Sequence, residues 1–450
     1  MTQDQKRAAE LSEQYSDLIH VSWRSRIVPL SVVGFGLLYL VYLFFYFDFA
    51  NIADKWRAER AQLFALDSYA YKVHVESKWR SPTKLKSSLE GSRWETFKEL
   101  PDWVSTGSQS NSRLVSFGEH GEAEVFEDRI SMRFTNAAHI TVYKPENGKF
   151  RLESPDALPD WIRVSKSKVD ARPDLFTRVQ IYKKKIIMHR YFVGWEYFWF
   201  DFQSPLRDYS FSEVIDLVMS AERLDPNMSN LALVNKEFWT NALWLHKDVF
   251  IAVLQTIFMA VMGTLMAAIL GLPLAFLAAY NVTPVAGIRF GLRRLFDALR
   301  GIDMLIWSLI FIRAFGMGPF SGLLAIGVTD TGTLGKLMSE AIENTDKKQV
   351  EGVQSTGASK VQQHRFGILP QILPLFISQT LYYLESNTRG AVIIGAMGAG
   401  GIGLQFLGAM RTGTDWENVA YISIIVLITV MVIDMISSRL RRKLIGRETH

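Results

Sequence analysis

The sequence predicts an α-helical polytopic membrane protein of about six transmembrane helices, interrupted by one inserted α+β domain. Long apolar runs lie outside residues 51–240, and the longest extends from Val249 to Ala279. A helix needs about 20 apolar residues to cross a bilayer, and four of these runs approach or exceed that length. Residues 51–240 are instead rich in charged and turn-forming residues, which is typical of a domain exposed to water.

Composition excludes several classes of protein. The chain has 450 residues, of which 48% are hydrophobic, and this excludes a disordered or fibrous chain. Its 50 basic and 45 acidic residues leave a net charge of +5, too balanced to predict nucleic-acid binding. Because cysteine is absent, neither disulfides nor thiolate metal sites can form, and the isolated histidines predict no metal site.

Hydropathy indicates four clear spans and two more polar ones. The predicted spans are Ile27–Phe47, Val249–Ala279, Met304–Phe315, Phe320–Val328, Gln371–Met397 and Val419–Ile436. The first is expected to be an uncleaved anchor, because no small-residue cleavage site follows it. The third and fourth are too polar to face lipid and would have to be shielded inside a helix bundle.

Basic residues in the short loops predict the orientation. With six spans, the Lys/Arg clusters before the first span and after the second, fourth and sixth all lie on one side, the cytoplasm. Residues 1–26 would then be a cytoplasmic segment, 27–50 the first transmembrane helix and 439–450 a basic cytoplasmic tail. The insert, 51–240, would lie outside, and 241–438 would form a core of five further transmembrane helices.

The insert is expected to be an α+β domain. Met132 to Leu152 predicts strands around an Asn147–Gly148 turn, and Pro205 to Thr240 predicts helices. The aromatic segment from Ile186 to Phe202 is too short and too charged to be another span. Its Trp and Tyr side chains could form domain core, a belt at the membrane interface or a docking surface, and the first two are the commoner uses.

A polar segment between the fourth and fifth spans, residues 343–369, is a candidate docking loop. Glu351 lies on a short predicted helix, Gly357 allows a tight turn, and Pro370 opens the next helix. From these residues alone, an ordinary solvated loop is the commoner alternative.

This loop resembles the EAA loop of ABC importer permeases, the coupling helix that inserts into an ATPase subunit. The matching residues are Glu351, Gly357, Ala358, Ser359, Leu369 and Pro370. Gly352 and Val353 depart from the pattern, because two alanines are usual there. Motifs such as Gly318-Pro319-Phe320 and the glycine cluster at 398–403 resemble the permeases of phosphonate-type (PhnE-like) importers. The resemblance covers about Val249 to Arg442 and leaves out the insert.

The resemblance implies an ABC importer type I permease fold in a bacterial inner membrane, with the insert in the periplasm. Such a subunit forms the translocation path for a phosphonate-, phosphate- or phosphite-like oxyanion by alternating access. The implied partners are an ABC ATPase dimer, a periplasmic substrate-binding protein and a second permease subunit, identical or related. The chain itself would be no enzyme and would bind no cofactor, since ATP and Mg would bind to the partner ATPase.

Ionisable and amide side chains in or beside the predicted spans are candidates for the translocation path. Glu385, Asn387 and Arg389 lie in the fifth span, and Arg313 and Asp330 lie at the ends of the two polar spans. Burial of charged groups in a membrane is costly unless they pair with one another or line water. Arg389 could bind a passing oxyanion or only neutralise Glu385 at i, i+4, and both alternatives stay open.

A glycine cluster follows the fifth span. Gly398, Gly400 and Gly403 match a dinucleotide-binding fingerprint, but that motif requires a preceding soluble strand, which is absent from the predicted order. Gly335-Lys336 fails as a P-loop, because Leu337 replaces the required Ser or Thr. We expect Gly398, Gly400, Gly401 and Gly403 to allow close helix packing or the bending of a gate.

Two other classes of protein are alternatives. A membrane-anchored ligand sensor would leave the later spans unexplained, and no cytoplasmic output domain is recognisable. A secondary transporter should show inverted repeats, and none is visible in the sequence. Co-purification with an ATPase subunit would separate both alternatives from an importer permease.

Overall fold

The computed structural model describes residues 23–51, 58–89, 97, 100–135, 139–146, 149–154, 158–413 and 415–445. The predicted Asn147–Gly148 turn and most of the predicted N-terminal segment lie outside these ranges. The chain divides into two units, Met1–Leu63 and Phe64–His450.

The first unit contains one long apolar helix, α1, from Trp23 to Tyr46. Its 24 residues are enough for a helix of about 36 Å, which exceeds the thickness of a hydrocarbon core. Most of its apolar side chains are exposed, among them Phe35 and Leu38, as expected of a helix that faces lipid. A short 3₁₀ turn, Phe49–Asn51, follows, and helix α2, Ala58–Ser68, extends into the second unit.

The insert consists mainly of two antiparallel six-stranded sheets. In sheet order, the first contains β2 (Ser81–Leu89), β1 (Ala70–Lys78), β12 (Lys185–Val193), β11 (Thr177–Tyr182), β10 (Lys168–Ala171) and β9 (Ile162–Val164). The second contains β3 (Val104–Thr106), β4 (Arg113–Ser116), β5 (Gly121–Val125), β6 (Arg129–Phe134), β7 (Ile140–Tyr143) and β8 (Leu152–Glu153).

One apolar core joins the two sheets. Alternate residues of the strands point into it, as in β6, where Ile130, Met132 and Phe134 are buried. Side chains from β1, β11 and β12 of the other sheet, such as Val75 and Met188, belong to the same cluster. Helix α2 precedes the strands, and two further helices of the insert, α3 (Phe211–Met219) and α4 (Asn230–Trp239), follow them in sequence. In its described residues the insert is therefore more strongly β than the sequence predicts, since hydropathy does not show that the twelve short strands found there share one core.

The membrane core is a set of helices that begins directly after the insert. They are α5 (His246–Ala278), α6 (Ala286–Gly301), α7 (Met304–Phe315), α8 (Pro319–Glu343), α9 (Lys347–Ser355), α10 (Lys360–Gln363), α11 (Leu369–Ile394), α12 (Gly401–Thr412) and α13 (Trp416–Ile445). Short π-helical segments, His364–Ile368 and Gly395–Ala399, precede and follow α11.

Six helices, α1, α5, α7, α8, α11 and α13, match the six predicted spans in order. Among the described residues, α1, α5 and α13 are long and apolar enough to cross a membrane, and the bent pair of α11 and α12 would make a fourth span. Helix α7 has only 12 residues, and α8 has 25 but is less apolar. Length and apolarity therefore support at most four spans in this part of the chain. The six-span prediction is not excluded by this result, because α8 buries polar residues such as Asp330 and Thr331 inside the bundle, away from lipid. The count of six therefore stays a prediction.

Aromatic side chains join the insert to the membrane helices. Trp195 and Phe198, just after β12, pack against Trp244 and Tyr421. Buried His246 contacts the Phe198 carbonyl oxygen at 2.6 Å through Nε2 and the Tyr421 hydroxyl at 2.9 Å through Nδ1. Of the alternatives for this aromatic segment, Trp195 and Phe198 form core, at the junction of the insert with α5 and α13.

Candidate functional site

Small residues let α5 and α8 approach closely. A Cβ atom on Gly263 of α5 would lie 2.7 Å from Cγ2 of Ile326 on α8. A Cβ on Gly327 of α8 would overlap the Met266 side chain of α5. The branched Ile326 side chain leaves no room for a larger residue at Gly263, as at the interfaces of many membrane helices, whereas the flexible Met266 side chain can move away from Gly327.

A buried polar cluster connects α5, α8 and α11. The Asn387 side-chain amide donates to the Thr264 hydroxyl at 2.8 Å and to the Asp330 carboxylate at 2.5 Å. All three side chains are almost fully buried. Asp330 and Asn387, both predicted to line the path, therefore lie together between three helices, where their hydrogen bonds hold the helices in register.

Arg389 and Glu385 lie on another face of α11. The Arg389 Nη1 atom is 3.0 Å from the Glu385 carboxylate, at the predicted i, i+4 spacing. Half of the Arg389 side chain is exposed, against 19% for Glu385. Two residues along a helix turn the side-chain direction by about 200°, so Asn387 and Arg389 cannot share a face. Arg313 is exposed in the last turn of α7 and belongs to neither group.

The predicted glycine gate is a sharp bend between α11 and α12. The two helical segments meet at 60°. Gly398, Gly400 and Gly401 have φ angles of +114°, +82° and +69°, which side-chain-bearing residues rarely adopt. The chain can turn here because these glycines have no Cβ.

Side chains of α5 cap the first turn of α12 after the bend. The backbone N–H of Gly401 donates to the Gln255 side chain at 3.1 Å, and that of Ile402 donates to the Thr256 hydroxyl at 2.9 Å. These bonds satisfy two of the donors that a helix N-terminus leaves free. Gly403 is packed so tightly that a Cβ would overlap the Val392 carbonyl oxygen. The bend is thus fixed against α5.

The candidate docking loop contains a short polar helix that is exposed on the surface of the helix bundle. Asp346 caps α9 by accepting from the Lys348 N–H at 3.0 Å, and Glu351 is exposed on this helix. Gly357, with φ +82°, reverses the chain, and Ser359 forms a capping box with Gln362 at the start of α10. Ala358 is half-buried in the same turn, whereas Val361 and Phe366 are exposed apolar residues beyond it.

The base of this loop is anchored to the bundle. Ile368, next to Leu369 and Pro370 at the start of α11, packs with Ile372, with Ile342 of α8 and with Ala275 of α5 in one buried apolar cluster. The Gln371 side chain accepts from the Asp346 N–H at 2.9 Å and donates to the Gly367 carbonyl at 2.6 Å. The exposed helix α9 is therefore attached to the ends of α8 and α11.

Sequence reasoning missed the partners of several predicted residues. Thr264, Gln255 and Thr256 are polar residues within the apolar run of α5. Their polarity in a membrane span is the sequence signal that could have identified them as partners. It also missed Glu343, which pairs with Arg293 and accepts from the Tyr280 N–H at 2.9 Å. No group of three or more His, Asp or Glu among the described residues could hold a metal ion.

Comparison with known proteins identifies the family. The profile of the binding-protein-dependent transport system inner membrane component matches residues 271–448. A putative cryptic phosphonate transport system permease protein of Escherichia coli (strain K12) is 42% identical over 123 residues, which are 27% of this chain and 100% of that protein. The chain belongs to this family. The resemblance to phosphonate-type permeases is confirmed, and the chain is an integral membrane protein with the permease fold of ABC importers.

Other members of the family are similar over shorter parts of their length. A phosphite transport system permease protein of Stutzerimonas stutzeri is 38% identical over 172 residues, 38% of this chain and 62% of that protein. A phosphate-import permease protein of Mycolicibacterium smegmatis (strain ATCC 700084 / mc(2)155) is 35% identical over 174 residues, 39% of this chain and 32% of that protein. The chain thus spans less than two thirds of the length of these two permeases.

The buried polar cluster should be essential to the stability of the bundle. Asn387→Leu removes both hydrogen bonds and leaves the Thr264 and Asp330 side chains unsatisfied, at a cost of about 1–3 kcal/mol. We expect a lower thermal unfolding midpoint of the purified chain in detergent. The triple change Asn387→Leu, Asp330→Leu and Thr264→Val removes the whole polar set and should recover much of the loss. An unchanged midpoint for Asn387→Leu would contradict this role.

Two glycines of α12 provide a matched test of the bend. Gly403→Ala overlaps the Val392 backbone, and overpacking of this kind costs about 1–3 kcal/mol. Gly408→Ala, on the same helix, meets nothing within 4 Å and should be tolerated. The amount of folded chain recovered from membranes measures both effects. Equal recovery of the two variants would show that the bend is not fixed by this packing.

Proposed function

We propose that the chain is the permease subunit of an ATP-driven importer for phosphonate-, phosphite- or phosphate-like oxyanions. The observation that carries the proposal is the exposed helix α9, anchored at the ends of α8 and α11 and present in a chain of this permease family. The names of the similar phosphonate, phosphite and phosphate permeases indicate the class of substrate.

The candidate docking loop, residues 343–369, would be the coupling element that docks into an ATPase subunit. It combines an exposed carboxylate on α9 with the exposed apolar residues Val361 and Phe366, and polar contacts around apolar anchors are typical of protein interfaces. Its capped ends fix its shape before a partner binds, which lowers the entropic cost of docking. ATP and Mg would bind to that partner, and this chain would catalyse no reaction.

Arg389 would offer its guanidinium to the oxyanion, and Glu385 would hold it in place. The bond to Glu385 involves Nη1, and half of the side chain remains exposed. A guanidinium has five N–H donors in a planar fork, so it can bind an oxyanion while it is paired on one side. The bend at Gly398–Gly403 would be the gate of an alternating-access cycle.

The assembled importer would contain a second permease subunit, an ATPase dimer and an external substrate-binding protein. The basic loops support an orientation with six spans, both termini in the cytoplasm and the insert in the periplasm of an inner membrane. An ATPase that co-purifies with the chain would exclude the sensor and the secondary transporter.

Uptake of labelled phosphate tests the proposed function. Cells would express the chain with its neighbouring ATPase and binding-protein subunits, and excess unlabelled 2-aminoethylphosphonate would be the competitor. Uptake abolished by the competitor would identify one broad phosphate and phosphonate importer. No phosphate uptake by an assembled complex would indicate a dedicated phosphonate or phosphite system, to be checked with those labelled anions. An assembled complex that imports none of the three anions would contradict the proposal.

Glu351→Arg tests the coupling helix. A reversed charge at a docking contact costs several kcal/mol, so we expect uptake and ATPase co-purification to fall by about tenfold or more. The variant should still fold, because Glu351 is exposed on α9. Glu222→Arg, an exposed glutamate of the insert, is the control for charge reversal. Normal uptake by Glu351→Arg in a membrane-inserted complex would rule out this coupling role.

Charge-neutral variants separate the two roles considered for Arg389. If the guanidinium binds the oxyanion, Arg389→Gln should lower uptake by about 10- to 100-fold, the value of a charged hydrogen bond of about 1.5–3 kcal/mol. Glu385→Gln keeps an oxygen that accepts from Arg389 and should then retain most of the uptake, and the double variant should remain impaired. If Arg389 only neutralises Glu385, each single variant should be impaired and the double variant should recover. That second pattern would overturn the proposed substrate contact.

A further inference from the structure

Helix α3 carries an apolar stripe that faces outwards. Phe211, Ile215 and Met219 are 72%, 49% and 84% exposed and follow one another at intervals of four residues, so they lie on one side of the helix. Val214, three residues after Phe211, is buried at one edge of this stripe. The folded chain therefore covers one edge of the apolar face of α3 and leaves the stripe itself exposed.

The α3–α4 hairpin has a fixed geometry. Buried Asn230, at the start of α4, donates to the carbonyl oxygens of Leu217 and Glu222, both at 2.7 Å. Its side-chain oxygen accepts from the Leu224 N–H at 3.0 Å. These bonds tie the connecting loop to both helices. The exposed stripe is therefore part of a rigid element.

The hairpin is continuous with the apolar surface of α5. The ring of Trp239, the last residue of α4, lies 5.5 Å from that of Phe250, centroid to centroid. Phe250 and Leu254 are exposed apolar residues of α5, on a face that a membrane-spanning helix presents to lipid. Leu231 on α4 is exposed as well. The apolar surface thus extends from the first turns of a span onto the insert.

A partly enclosed cavity of about 450 Å³ lies between this hairpin and the Trp195–Phe200 segment. Aromatic rings form most of its wall, including those of Trp199, Phe211 and Phe238. The Trp199 ring lies between the other two, with centroids 6.4 Å and 6.0 Å away. Glu196 and Arg207 are its charged lining residues, and burial raises the pKa of Glu196. The size and apolar lining are those of a small-molecule site.

We propose that the α3–α4 hairpin lies in the membrane interface beside the start of α5, and that its cavity takes an acyl chain of a bilayer phospholipid. Bilayer lipid is the occupant that the geometry favours, because the same apolar surface continues onto a lipid-facing helix. Trp and Tyr side chains, as in this cavity wall, are also the residues enriched where a membrane meets water.

The charges of α3 indicate what drives this contact. Its polar residues include Glu213 and Asp216 and no basic residue. An acidic helix gains nothing from anionic lipid, so burial of apolar area, at about 25 cal/mol per Å², must supply the attraction. The contact should therefore form in zwitterionic bilayers and be no stronger in anionic ones.

The absence of cysteine permits a clean depth measurement. Single-cysteine variants of the full-length chain would be labelled with bimane in phosphatidylcholine nanodiscs, at Met219 on the stripe, Leu265 on α5 and Lys184 on the β11–β12 turn. Lipids with a doxyl group near the headgroup should quench the label at Met219, and lipids with a doxyl group near the chain end should quench that at Leu265. Aqueous iodide alone should quench that at Lys184.

A phospholipid with a photoreactive acyl chain tests the cavity itself. Cross-links should form on the Trp195–Phe200 segment and on α4 as well as on α5. Val234→Trp fills the cavity. It should remove the cross-links on the Trp195–Phe200 segment and on α4 but retain those on α5. Iodide quenching alone at Met219, or cross-links confined to α5, would overturn the proposal. Iodide access at Met219 that a substrate-binding protein blocks would instead identify a protein docking surface and would also overturn it.

Discussion

The close contact between α5 and α8 is the constraint on which the membrane core depends. Lipid is as apolar as the helix surfaces, so burial of apolar area does little to hold membrane helices together, and tight packing with buried hydrogen bonds must do so. Gly263 and Gly327 supply the packing, and Thr264 and Asp330 supply polar atoms from both helices. Asn387 joins these atoms and adds α11 to the pair. The polarity that weakens α8 as a predicted span is therefore what fixes its place.

Helix α5 contacts both ends of α11. Near its C-terminus, Ala275 and Ala279 belong to the apolar cluster that anchors the candidate docking loop. Nearer its N-terminus, Gln255 and Thr256 cap the helix that follows the bend. Because α11 lies between these two attachments, a displacement of the loop cannot leave the bend unaffected unless α11 itself deforms. The loop and the bend are thus mechanically connected through two helices.

The sequence predicted the features that depend on local order, and it did not predict the pairing of distant side chains. The exposed loop with Glu351 and Gly357 and the bend at Gly400 lie where the motifs indicated, because turns and caps are encoded by neighbouring residues. The sequence indicates only that Asn387 and Arg389 are polar residues of the same span, yet the helix points them to different faces. The partners of Asn387 lie 57 and 123 residues away in the sequence. Helical periodicity gives no information about contacts between residues that are so far apart in the chain.

The insert is a rigid extension of the membrane helices rather than a domain on a tether. His246 contacts the Phe198 carbonyl and the Tyr421 hydroxyl at once, and Asn241 donates to the carbonyl oxygens of Tyr197 and Phe198 at 2.8 and 3.2 Å. The Trp195 ring packs against Phe198, Trp244 and Tyr421 at the same junction. A rotation of the insert about the start of α5 would break these bonds and expose the rings. Movements of α5 or α13 must therefore carry the two sheets with them.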